Sequence, residues 1–175
     1  MDTRMHYLTL FKSAASAASG ASPAHRTIAR TLAEWVLFRE YCSSGADLDS
    51  LAVRTGCPRE EIASFLWTNA GERFFSIRKH LRISDAKDML AASPELPLSS
   101  VAHATGFADK SDFRRAFREE TGYAPRFWKE NGGSSLKCRV VKILESCRSR
   151  CRAGRKTMRR RHTPRCGDAC TTPAQ

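Results

Sequence analysis

The chain has 175 residues, with 30 Lys and Arg against 18 Asp and Glu, a formal charge of +12; this length holds one ordinary domain or two small ones. No apolar run approaches the roughly 20 residues of a membrane-spanning helix. Seven cysteines, of which only Cys42 and Cys57 precede residue 132, exclude a disulfide framework for the body of the chain. The charge is unevenly spread. Residues 132–175 carry 12 Lys and Arg against 2 Asp and Glu, whereas residues 1–131 carry 18 against 16. A basic total suits a polyanionic partner, but here it does not assign that partner to the body.

In chain order, residues 1–25 read as a flexible leader. The apolar stretch Tyr7–Phe11 is shorter than the roughly 7–15 residue core of a secretory signal, and residues 13–22, SAASAASGAS, are low-complexity. A helix is predicted from Arg26, with Ile28, Leu32, Trp35 and Val36 on one face and Gly45 as its stop. Asp47 stands at an N-cap position before a short helix that begins at Leu48. From about 73 to 92, Phe74, Ile77, Leu81, Ala86 and Leu90 fall at helical spacing with no Gly or Pro between them, predicting one long helix that ends before Ser93-Pro94. Helical character returns near Arg126–Glu130, and Asn131-Gly132-Gly133-Ser134-Ser135 marks a domain boundary.

One pattern occurs twice. Leu48, Leu51, Ala52 and Gly56 read L-x-x-L-A-x-x-x-G, and Leu98, Val101, Ala102 and Gly106 repeat the spacing 50 positions later. Ile62, Leu66 and Gly71 correspond to Phe113, Phe117 and Gly122 at an offset of 51, so one extra residue lies between Gly106 and Phe113. A short helix, a glycine turn and a second amphipathic helix describe a helix-turn-helix. Two are expected, at about 48–68 and 98–119, joined by the helix at 73–92. Alanine permits close approach of the paired helices, and glycine takes positive φ at the turn without a Cβ clash.

The outward faces differ. With Asp109 as N-cap, the second recognition helix presents Lys110, Ser111, Arg114 and Arg115, with Arg118 one turn on. Arginine suits bidentate contact with guanine, and serine contacts base or phosphate. The first presents Arg59, Glu60, Ala63 and Ser64, and its acidic start meets phosphate repulsion. The second helix is therefore expected to read bases and the first to steady the grip.

The segment from Arg82 to Glu130 closely resembles the C-terminal signature of AraC/XylS-type bacterial transcription regulators. The matching residues are R-I-x-x-A at Arg82, Ile83 and Ala86, and V-A-x-x-x-G-F from Val101 to Phe107. They continue with S-x-F-x-x-x-F from Ser111 to Phe117 and T-G-x-x-P from Thr121 to Pro125. Residues 48–75 are similar to the family's first helix-turn-helix. The resemblance implies an all-α domain over about 26–131, binding double-stranded DNA through successive major grooves and acting with RNA polymerase. It carries base-contact roles onto the same eight positions, 59, 60, 63, 64, 110, 111, 114 and 115. Departures are Pro58 and Ser64 in the first helix-turn-helix, and the short stretch ahead of the first helix, which reads as a stand-alone or detached DNA-binding half. A cytoplasmic, nucleoid-associated protein is expected, with no membrane partner and an oligomeric state left open.

Residues 132–175 have no counterpart in the family and read as a disordered basic tail adding nonspecific phosphate attraction. Cys147, Cys151, Cys166 and Cys170, with His162 between the pairs, have permitted zinc spacing. The 14 residues separating the pairs offer only Met158 and Ala153 toward a core, so no metal or cofactor is expected. The body holds no nucleophile–base pair, phosphate loop or paired carboxylates at catalytic spacing, so an enzyme is not expected. The rival reading is a helical module that sequesters another regulator and binds DNA weakly.

Overall fold

A computed structural model of the chain describes residues 3–16 and 22–131. Among them all regular structure is helical. The elements are α1 (Thr3–Ser16), α2 (Pro23–Leu37), a 3₁₀ turn (Glu40–Cys42), α3 (Leu48–Thr55), α4 (Arg59–Ala70), α5 (Phe74–Ala92), α6 (Leu98–Ala104), α7 (Lys110–Thr121) and α8 (Pro125–Glu130). The tail residues, with Cys147, Cys151, Cys166 and Cys170, lie outside the described residues.

The leader is where expectation and structure part. Residues 3–16 form a helix that packs on α2, α4 and α5. Tyr7, Leu8 and Phe11 lie on one face at i, i+1 and i+4 and are buried, Phe11 completely. Ala14 and Ala15, from the Ala/Ser run that reads as a linker, are strong helix formers. Composition weighed them as spacer because the apolar residues seating the helix are so few. Next, α2 starts three residues earlier than periodicity implied, since Ser22 caps it by accepting from His25 N and Pro23 occupies the first turn.

Gly45 is not the stop of α2, which ends at Leu37. Arg39 then takes a left-handed backbone (φ 56°) and opens the 3₁₀ turn. A non-glycine residue holds this conformation only when its surroundings fix it. They do so here through Asp85 of α5, whose Oδ2 accepts from Arg39 Nε at 2.9 Å and lies 2.8 Å from Arg39 Nη2. The same oxygen accepts from the buried Tyr41 hydroxyl at 2.8 Å. Partial burial alone would lower the pKa of Arg39, but the charge and hydrogen bond of Asp85 raise it on balance. Burial first, then the bond to Asp85, raises that of Tyr41.

The long helix α5 serves both halves of the fold. Phe74, Ile77 and Leu81 join the core built by α1 to α4. Ile83, Ala86 and Leu90, further along, are buried outside that cluster, as are Val101, Phe113, Phe117 and Trp128. Phe113, Phe117 and Trp128 meet edge to face at 5.7 and 5.9 Å. On another side of α5, His80 lies between Glu72 (Nδ1–Oε2 3.0 Å) and Glu120 of α7 (Nε2–Oε2 3.2 Å). The Tyr7 hydroxyl donates to Glu72 Oε1 at 2.9 Å. This chain of contacts ties α1 to α7 through α5.

Asp47 caps α3 as its sequence position implies, accepting from Ser50 N at 2.8 Å. That backbone hydrogen bond, ahead of every other influence, holds its carboxyl below the usual carboxylate range. A depressed carboxylate stabilises the fold above its unfolded pKa, and the contribution is lost as pH falls through the folded one. Asp47→Ser keeps an uncharged cap. Wild type is therefore expected to lose stability relative to Asp47→Ser as pH falls from about 5 to about 2, read as the difference in urea midpoints. A difference that stays constant over that range contradicts the assignment.

Candidate nucleic-acid interface

Each repeat folds as a helix pair. In the first, α3 leads through Gly56 (φ 65°) into α4; in the second, α6 leads through Gly106 (φ 83°) into α7. The extra residue of the second repeat falls in the turn: Cys57-Pro58 separate Gly56 from α4, and Phe107-Ala108-Asp109 separate Gly106 from α7. The repeat also includes a pair the sequence comparison passed over. Thr55 and Thr105 stand 50 positions apart, and each hydroxyl donates back to a carbonyl of its own short helix, Leu51 O and Val101 O, at 2.8 Å. Identical spacing was the available signal.

Gly106 makes a closer approach than Gly56. A Cβ there would overlap the Cys42 carbonyl oxygen and lie 2.7 Å from its carbon, whereas at Gly56 it would meet nothing within 4 Å. Arg82 organises this junction. Its Nε donates to Tyr41 O at 2.6 Å, its Nη2 to Ser43 O at 3.0 Å, and its guanidinium lies over Phe107 at 5.6 Å. Burial lowers its pKa to about 10, which leaves it charged near neutrality. The turn of the second helix-turn-helix is thus locked onto the 3₁₀ turn of the first half.

Both recognition helices bury one face and expose the other. Ile62, Phe65 and Leu66 of α4, and Phe113, Ala116 and Phe117 of α7, are buried. Lys110, Ser111, Arg114, Arg115 and Arg118 on α7, and Arg59, Glu60, Ala63 and Ser64 on α4, are all exposed. Asp109 stands at the N-cap position of α7 without a side-chain capping bond, so its role in starting the helix is carried by its carbonyl, which accepts from Phe113 N at 3.1 Å.

Electrostatics separates the two faces further. On α7, Arg115 pairs with Asp112 at 2.7 Å, with both side chains more than half exposed. Such a pair contributes little in water, so the guanidinium is available to an incoming acceptor. On α4, Arg59 is turned back to Asp49 of α3 at 2.9 Å, while Glu60 stays exposed. Glu61 faces α2, 4.0 Å from His25. Sequence reasoning missed Trp67, 63 % exposed and three to four residues beyond Ala63 and Ser64, hence on their face. Among the described residues no group of three or more His, Cys, Asp or Glu is arranged to hold a metal, and no helix is long and apolar enough to cross a membrane.

Two helix pairs with packed inner faces, exposed second helices and a shared long helix define a double helix-turn-helix domain, a DNA-binding class. Residues 51–131 match the family described as "Helix-turn-helix domain", and this segment is similar to its AraC-type members. Solved structures share the fold. One is the C-terminal domain of AraT, a response regulator from Geobacillus stearothermophilus (20 % identity, 64 % of this chain and 88 % of that one, TM-score 0.55). Another is the C-terminal domain of the two-component response regulator yesN from Fusobacterium nucleatum (22 %, 58 % and 97 %, TM-score 0.53). A third is a protein of unknown function from Listeria innocua (21 %, 59 % and 94 %, TM-score 0.53). A comparison with curated proteins found no match to the chain. The family match leaves out α1 and α2, which contribute nearly half of the first core, Tyr7, Phe11, Ile28, Leu32 and Trp35 among them.

Proposed function

We propose that the protein is a sequence-specific transcription regulator that lays α4 and α7 into successive major grooves on one face of double-stranded DNA. In this reading α7 reads bases through Arg114 and Arg115, supported by Lys110, Ser111 and Arg118. Helix α4, with Glu60, Ala63 and Ser64 outward and Arg59 drawn to Asp49, contributes mainly to grip and register. Bound at a promoter, the domain alters the recruitment or access of RNA polymerase.

The observation carrying this reading is the outward face of α7. Four cations and a serine are exposed there, opposite the buried Phe113 and Phe117. Arginine placed this way makes bidentate contacts with guanine O6 and N7. Arg114→Ala is expected to cost roughly 1–3 kcal/mol at the cognate duplex and to relax preference at one base position, with far less effect on scrambled DNA. Titration of fluorescent duplexes reads both quantities. Equal binding of cognate and scrambled DNA by wild type and variant alike contradicts the proposal.

A further inference from the structure

A groove of about 300 Å³ runs between α5 and α7, with Phe75, Arg78 and Lys79 on one wall and Asp112, Arg115 and Glu119 on the other. Its position follows from the chain path. α5 begins at Phe74, four residues after α4 ends at Ala70, so its start lies near the C-terminal end of the first recognition helix, while the opposite wall is the second recognition helix itself. A duplex offering successive major grooves to α4 and α7 must turn the backbone that separates those grooves toward whatever lies between the helices. We propose that this groove seats a backbone phosphate of the intervening segment, held by Lys79 and Arg78. The proposal rests on the reading of the domain as a two-probe DNA reader.

The groove's chemistry suits that occupant. Lys79 pairs with Glu119 at 3.3 Å, with both side chains over a third exposed, and Arg115 pairs with Asp112 at the opposite wall. Exposed pairs of this kind are readily exchanged for a phosphate, which brings charge-assisted hydrogen bonds and releases counterions. Arg78 is held less completely. Its Nε is buried with no hydrogen-bond partner, and Nη2 reaches Ser43 O only at 3.5 Å. Burial also lowers its pKa against the opposing charge of Asp47, so its charge gains from a further anionic neighbour. Phe75, 66 % exposed on the groove wall, offers an apolar surface to a deoxyribose.

The test uses the full chain and a duplex recovered by selection from random DNA. Lys79→Met is expected to leave base preference unchanged and to reduce the slope of log affinity against log salt by about one; the charge-keeping Lys79→Arg is expected to restore it. Thermal melting checks that both variants fold, and Arg78→Met provides a second, independent removal. A neutral methylphosphonate at single positions between the two read segments is expected to weaken wild type several-fold at one or two positions and to weaken Lys79→Met clearly less there, Arg78 being the cation that remains. Specific binding indifferent to every such substitution, or equally sensitive in wild type and variant, overturns the phosphate seat while the reading of the domain stands. Absence of any preferred duplex overturns that reading, and the seat with it.

Discussion

Gly106→Ala is expected to destabilise the protein by about 2–5 kcal/mol, while Gly56→Ala, at the equivalent turn of the other repeat, costs only about 1–2 kcal/mol. Both glycines have positive φ, so both substitutions carry the left-handed penalty of an L residue. Only at Gly106 does the added methyl enter the Cys42 carbonyl and come within 2.9 Å of Arg82 Nη2. The 3₁₀ turn would have to move, and Arg82 holds that turn through Tyr41 O and Ser43 O. The substitution therefore adds overpacking at the junction of the two halves to the backbone strain. Urea denaturation of the two variants measures the contrast, and equal losses would contradict the close approach. The Gly106 variant should also lose DNA affinity beyond its loss of stability, because its turn sets the angle at which α7 leaves α6.

Asp85→Ala is expected to cost about 3 kcal/mol, and Asp85→Asn less. Removing one partner of a buried pair leaves the others uncompensated, typically at 3–5 kcal/mol. Here the lower end applies, because Arg39 is 45 % exposed and recovers water when released. Tyr41 is fully buried and does not; its hydroxyl would lose the Asp85 carboxylate as its acceptor among the described residues. Asparagine keeps an oxygen for Tyr41 but not the charge that holds Arg39 in its left-handed conformation. Denaturant midpoints of the two variants, compared with Tyr41→Phe, separate these contributions. If Asp85→Asn proves as costly as Asp85→Ala, the charge and not the hydroxyl bond governs the turn.

The parts of the fold legible in the sequence were those written as periodicity. Phe74, Ile77, Leu81, Ala86 and Leu90 announced α5, and all five are buried. The doubled spacing around Gly56 and Gly106 announced both helix pairs and even the extra turn residue. The outward positions of α7 followed from the same pattern, because an amphipathic helix that buries Phe113 and Phe117 has little choice about what it exposes. What periodicity could not show was which charged residues are turned inward. Asp85 reads as an ordinary polar position of a long helix, and only the fold brings Arg39 and Tyr41 to it from 46 and 44 residues away. Arg82 was visible as a motif residue, yet its work on Tyr41 O depends on the same long-range meeting. Helix α1 was hidden for the opposite reason. Its last four residues belong to an Ala/Ser run that reads as a spacer, and three residues, Tyr7, Leu8 and Phe11, decide its place.

The interface shows the same division. The chemistry of α7 lies in its sequence. The outward chemistry of α4 is only half visible there, since Glu60 is plain but the withdrawal of Arg59 to Asp49 is not. Trp67 was overlooked because the motif positions stop at Ser64, although one further helical turn continues their face past Ala63 and Ser64.

We propose above all that this domain reads DNA sequence, and chiefly through α7. Selection of bound duplexes from a random library tests it most directly. The expected result is an enriched site with one strongly specified block and a second, weaker block about one helical turn, or roughly 10 base pairs, away. Arg115→Ala should relax only the strong block. Failure to enrich any sequence, or a strong block that responds to Ser64→Ala and not to Arg115→Ala, would contradict it.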